Sequence, residues 1–151
     1  MLKGDLLGLP FADGTFDLIL CNHVIEHIPD DVGALRELAR ILKSDGLLLI
    51  GVPNEGCGLA RLRNHVLQRS ILTSTDHVHF YTADLLTERI RRAGLRPRGE
   101  IRREGFFVPH LRLAYIVREY RLGRAAMDAL ARLFPAQCAG LLLAAVHDGP
   151  K

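Results

Sequence analysis

Apolar positions along this chain fall into two patterns, and the two alternate. Residues 16–21 (FDLILC), 47–52 (LLLIGV) and 139–146 (AGLLLAAV) are near-continuous apolar runs. Runs of that length read as strands buried in a parallel sheet. Residues 98–107 predict a further strand. Between them the spacing changes to helical. Val32, Leu35, Leu38, Ala39 and Leu42 recur behind Asp30 and Asp31, which suit an N-cap, and Gly46 is placed to stop that helix. Thr82 caps a second helix with Leu85, Leu86 and Ile90 on its buried face, and Gly94 ends it. Residues 111–134 predict a third, through Leu113, Ile116, Val117, Tyr120, Met127, Leu130 and Phe134, with Gly123 as a break. A strand, a helix and another strand imply a right-handed parallel crossover, so the pattern predicts an α/β protein with a doubly wound, mostly parallel sheet.

The first apolar run ends in polar residues. Asn22, His23, Glu26 and His27 follow it directly, before Pro29. In open α/β sheets ligands bind just past the carboxyl ends of strands, which makes residues 22–27 the first site candidate. Residues 55–76 form a longer, less regular connection after the second run, suited to a lid or a substrate wall.

The stretches LPFADGTFDLILCNHVIEHIPD and RELARILKSDGLLLIGVPNE, and later H-x-x-F-x-T with A-G beyond it, resemble the class I S-adenosylmethionine-dependent methyltransferases, including the ubiquinone-biosynthesis O-methyltransferases. The resemblance covers most of the chain. It implies a Rossmann-like sheet of order 3-2-1-4-5-7-6. Residues 3–7 would then be the third strand and 16–21 the fourth. Residues 47–52 would be the fifth, 98–107 the sixth and 139–146 the seventh. The first two strands, and the glycine-rich loop that follows the first, have no counterpart in this sequence. The expectation is one partial methyltransferase domain over residues 1–151, truncated at its N-terminal side, with an open edge on the fourth strand. Residues 2–8 could fill that edge, or two chains could pair there.

For the cofactor, the resemblance implies S-adenosylmethionine, touched by Asp5 and Leu6 at the adenine and by Asn22 at the methionine part. Without the glycine loop, weak or absent binding is expected. For the acceptor it implies a small or lipid-linked molecule methylated on oxygen. A histidine can serve as the base, because imidazole titrates near neutrality; His23, His27 and His77 are the candidates. The alternative is a non-catalytic remnant that dimerises as a scaffold. In the ubiquinone-type enzymes an E-x-x-E-H motif at this place is linked to a divalent metal. Here His23 replaces the first Glu, and the expectation is no metal, with Glu26 and His27 orienting the turn.

The letters HVIEH also spell the inverted zinc-peptidase motif. That chemistry needs both histidines on one helix, and a site at a strand end followed by Pro29 does not supply it.

Composition narrows the rest. A net charge of +3 is too small to argue for nucleic acid. The arginines, dense between Arg89 and Arg124, fit a solvated face first and an anionic membrane surface second. No apolar run is long enough to span a bilayer. Three cysteines without a C-x-x-C pair fit reduced thiols and a cytoplasmic protein.

Overall fold

The computed structural model describes residues 4–67, 76–109, 115–117 and 119–149. Asp30 opens the first helix by accepting, through Oδ1, the amide of Gly33 at 2.9 Å. This helix, α1 (Asp31–Ile41), follows strand β1 (Phe16–Asn22) and leads directly into β2 (Leu42–Pro53). Beyond β2 lie a short helix α2 (Gly58–Leu62), then α3 (Ala83–Arg92), β3 (Leu95–Pro97), β4 (Arg102–Phe106), α4 (Arg121–Leu133) and β5 (Cys138–His147).

The sheet order is β1-β2-β5-β3, with β4 also paired to β5. β1 and β2 are parallel, while β5 runs antiparallel to β2, β3 and β4. Four strands therefore share one direction and β5 alone opposes them. With β3 and β4 taken together as the sixth strand, this is the expected 4-5-7-6 portion of the order.

α1 and α3 cover one face of the sheet. Leu35 and Leu38 of α1, and Leu86 and Ile90 of α3, join Cys21, Leu48, Ile50, Val52, Leu141, Leu143 and Ala145 in one core. Alternation along the strands sends the intervening residues to the other face. There Leu18 and Leu20 of β1 are 56% and 67% exposed. The expectation of a strand buried on both faces thus holds for one face only.

Several sequence expectations need correction. Residues 4–8 form a turn, not a strand. The Asp5 carboxylate accepts from the Leu7 amide at 3.0 Å and an isolated bridge joins Asp5 to Gly8. Lys3 lies outside the described residues. This segment does not fill the edge of β1. Leu9 donates its amide to Glu37, and Arg40 donates to the Leu9 and Phe11 carbonyls, so the segment is tied to α1. α1 ends at Ile41, before Gly46, which is needed instead because the Leu42 side chain fills the place of a Cβ there. The strand expected over residues 98–107 is split. Gly99, at φ +82°, turns the chain between β3 and β4. The long helix expected over residues 111–134 is interrupted by extended backbone at Tyr120 (φ −94°, ψ 138°). Gly123 sits inside α4, where its bare Cα packs against the Val117 carbonyl. Residues 111–114 and 118 of that stretch lie outside the described residues.

Candidate functional site

The apolar face of β1 ends at Cys21, and the chain then turns sharply. The His23 amide donates to the Gly51 carbonyl at 2.9 Å, which extends the β1–β2 pairing by one bond. His23 takes φ +53°, and it is the one non-glycine residue in the left-handed region among the described residues. Such backbone is costly for a side chain with a Cβ and clusters at functional sites. A single 3-10 turn, Ile25–His27, follows. Ile25 is anchored in the core, and its neighbour Glu26 is wholly buried.

Glu26 is the unusual group. Both carboxylate oxygens lack a hydrogen-bond donor. Two imidazoles lie beside them, His23 Nδ1 at 3.2 Å and His27 Nε2 at 3.9 Å from Oε1. The Cys21 thiol responds to the same place: burial first, and the Glu26 charge second, push it up to about 11. Cys21 is therefore an inert buried thiol.

A strap from the following segment closes over this turn. Val78 and His79 both donate their amides to the Glu26 carbonyl, at 2.8 and 3.2 Å. His79 Nε2 donates to the Ile28 carbonyl at 3.0 Å. The Tyr81 hydroxyl, fully buried, donates to Asp31 Oδ2 at 2.7 Å, and Arg89 approaches the same oxygen at 3.1 Å. Burial, and then the hydrogen bond to Asp31, hold the Tyr81 hydroxyl far above its ordinary range.

The histidines meet through these carboxylates. The His27 and His77 rings lie edge to face, 4.7 Å apart. His27 Nδ1 is 3.0 Å from Asp76, and His77 Nδ1 is 2.6 Å from Glu55 Oε2. Glu55 in turn holds Arg63 at 2.8 Å, and the Arg63 guanidinium stacks 4.8 Å over the Phe107 ring. His23, Glu55, Arg63 and Phe107 line one cavity of about 520 Å³, together with Arg124 and Met127 of α4. A larger cavity of about 650 Å³ lies at the opposite end of β2, among Ser44, Arg96, Arg98 and His147, away from these groups.

His23, His27 and His77 are thus brought together around two buried carboxylates. Asn22 stands beside them, its side chain occupying the space above Gly51 that a Cβ would fill. Asp5 and Leu6 belong to the turn before β1; Asp5 is engaged in that turn and Leu6 packs against the core. Glu55, Arg63, Asp76 and Tyr81 were not singled out from sequence. A polar step after an apolar run marks Asn54-Glu55 at the end of β2 just as it marks Asn22-His23, and that signal would have found Glu55. HVIEH runs from a strand end into one 3-10 turn, so its two histidines do not share a helix face. Glu26, His27 and His77 offer three ligand atoms within 4.8 Å of one another, a set able to receive a cation, although His27 and His77 already have carboxylate partners in Asp76 and Glu55.

A family model described as a methyltransferase domain matches residues 6–98. The uncharacterized methyltransferase YcgJ of Bacillus subtilis is 44% identical over 48 residues, 32% of this chain and 19% of that protein. A solved SAM-dependent methyltransferase from Thermotoga maritima is similar with a TM-score of 0.64 at 21% identity, over 97% of this chain and 63% of its own. A Burkholderia thailandensis 1,6-didemethyltoxoflavin-N1-methyltransferase, solved with 1,6-didemethyltoxoflavin and S-adenosylhomocysteine, gives a TM-score of 0.58 at 17% identity, over 98% of this chain and 50% of its own. At these identities the two structures show likeness of fold. The matched stretch spans 22%, 19% and 16% of the first three curated relatives.

Proposed function

This chain belongs to the methyltransferase domain family, and from that premise we propose that it serves methyl transfer from S-adenosylmethionine to a hydroxyl of a small or lipid-linked acceptor, at the carboxyl ends of β1 and β2. The observation that carries the reading is the wholly buried Glu26 carboxylate, facing His23 and His27 at the tip of β1.

Asn22, set over Gly51, would hold the methionine part of the cofactor, and Asp5 and Leu6 would meet the adenine. When bound, S-adenosylmethionine supplies the methyl group from its sulfonium. The chain's own residues handle the proton. His23 Nδ1 lies 3.2 Å from Glu26 Oε1, and its Nε2 is the atom that would accept the proton. His23 lines the cavity, so Nε2 can take the acceptor's hydroxyl proton, and Glu26 stabilises the resulting imidazolium at 3.2 Å. His27 packs between Glu26 and His77 and holds the turn, while Glu55 and Arg63 shape the wall.

Calorimetric titration with S-adenosylhomocysteine tests this reading. Micromolar affinity that falls in Asn22→Ala supports it. An absence of heat at millimolar ligand overturns it for this chain.

One observation favours a second reading. Among the described residues no strand pairs with the outer edge of β1, and Leu18 and Leu20 beside that edge are exposed. A dimer joined through β1, serving as a scaffold, would cover both. Light scattering at twice the monomer mass, reverting to monomer in Leu20→Lys, is its signature.

A further inference from the structure

α4 has a wider apolar arc than the body of the protein covers. At 100° per residue, Gly123, Met127, Leu130 and Ala131 share the side turned inward, and of these only Ala131 is fully buried. Leu122, Ala126, Ala129 and Leu133 form the neighbouring stripe, and it faces outward: Leu122 is 86% and Leu133 72% exposed. Phe134 and Tyr120, at the two ends of the helix, are also exposed, as are Val66 and Leu67 beyond α2. The third stripe is charged, with Arg121, Arg124 and Arg132 against Asp128, all at the surface.

From Arg102 to Leu133 the sequence carries seven arginines against three acids, an excess of four in a chain whose whole net charge is +3. An apolar strip bordered along one side by guanidinium groups suits a surface that is apolar within and anionic at its rim, which is the description of a bilayer carrying acidic headgroups. The same helix walls the cavity through Arg124 and Met127.

We propose that the outer stripe of α4 rests on an anionic lipid bilayer, with Leu122 and Leu133 inserted at the headgroup boundary and Arg121 and Arg132 on the headgroups. The proposal stands apart from methyl transfer; if that reading also holds, the cavity opens beside the membrane and a lipid-linked acceptor can reach it.

Flotation of the full chain with vesicles tests it. Phosphatidylcholine vesicles containing about a third phosphatidylglycerol should carry the protein, pure phosphatidylcholine should not, and salt should weaken the binding. Arg121→Gln and Arg132→Gln should each lower the affinity about fivefold. Leu122→Asp with Leu133→Asp should lower it more than about tenfold. Both leucines are exposed, so the fold should persist, and circular dichroism checks that. Leu18→Asp, at the other exposed site, should bind as the parent does. Equal binding to neutral and anionic vesicles overturns the proposal, as does full binding by the double aspartate variant. A dimer in light scattering that Leu122→Asp and Leu133→Asp dissolve, without any flotation of the parent, also overturns it and assigns the stripe to a contact between copies.

Discussion

Glu26 separates a working site from a merely structural turn. Its side chain is wholly buried and both oxygens lack a hydrogen-bond donor. A buried oxygen in that condition costs about 1–3 kcal/mol. The imidazole of His23 at 3.2 Å, and that of His27 at 3.9 Å, return part of this cost only when they are protonated. Leucine has nearly the volume of glutamate and needs no donor. Glu26→Leu should therefore raise stability by about 1–3 kcal/mol. For a chain of this size each kcal/mol moves the midpoint about 2–4 °C, so a rise of about 2–12 °C is expected in a melt followed by circular dichroism. Guanidinium unfolding should show the same gain with an unchanged slope. Methyl transfer in Glu26→Leu should fall by a factor of about 10²–10⁴, the usual worth of the general base, His23, that Glu26 supports. A stability gained where function is lost is the mark of a residue kept for chemistry. A loss of more than about 3 kcal/mol would refute this. That is the cost of breaking a buried ion pair, and it would make Glu26 a structural link between the two histidines.

Further predictions follow from the same geometry. Gly51→Ala should displace Asn22, whose side chain occupies the place of the new Cβ, costing about 1–3 kcal/mol and weakening S-adenosylhomocysteine binding in calorimetry. Glu55→Gln should destabilise by about 3–5 kcal/mol, because it leaves the buried Arg63 charge without its partner at 2.8 Å, whereas Glu55→Gln with Arg63→Met should recover most of the loss in guanidinium unfolding. Glu37 is held down to about 2, chiefly by its hydrogen bonds from Arg40 and the Leu9 amide. A carboxyl whose folded-state pKa is depressed gives stability that is complete above the unfolded value near 4.5 and is lost as pH falls toward about 2. Glu37→Gln should therefore flatten the acid limb of a pH–stability curve in that window.

The strands were legible because apolar runs of that length bury at least one face, and the tip of β1 because Asn22 and His23 break such a run abruptly. Helix caps were legible too: Asp30 and Thr82 each accept the amide three residues on. What escaped the sequence depends on contacts formed at a distance. Val78 and His79 bond to Glu26 across some fifty positions, and no local pattern announces that closure. Glu55 and Arg63 looked like parts of a loose loop, yet they pair in a buried place because β2 delivers Glu55 to the same end of the sheet as His23. The split between β3 and β4 rests on the left-handed backbone at Gly99, and the late start of α4 rests on extended backbone at Tyr120. Apolar spacing across either point gives no sign of a break.

The most direct measurement is a nuclear magnetic resonance titration of the chain with S-adenosylhomocysteine, followed at the backbone amides. The account predicts shifts concentrated at Asn22, His23, Gly51 and Asn54, at the carboxyl ends of β1 and β2. Unmoved resonances at millimolar ligand, or shifts gathered instead around Ser44, Arg96 and His147 at the opposite end of the sheet, would contradict it.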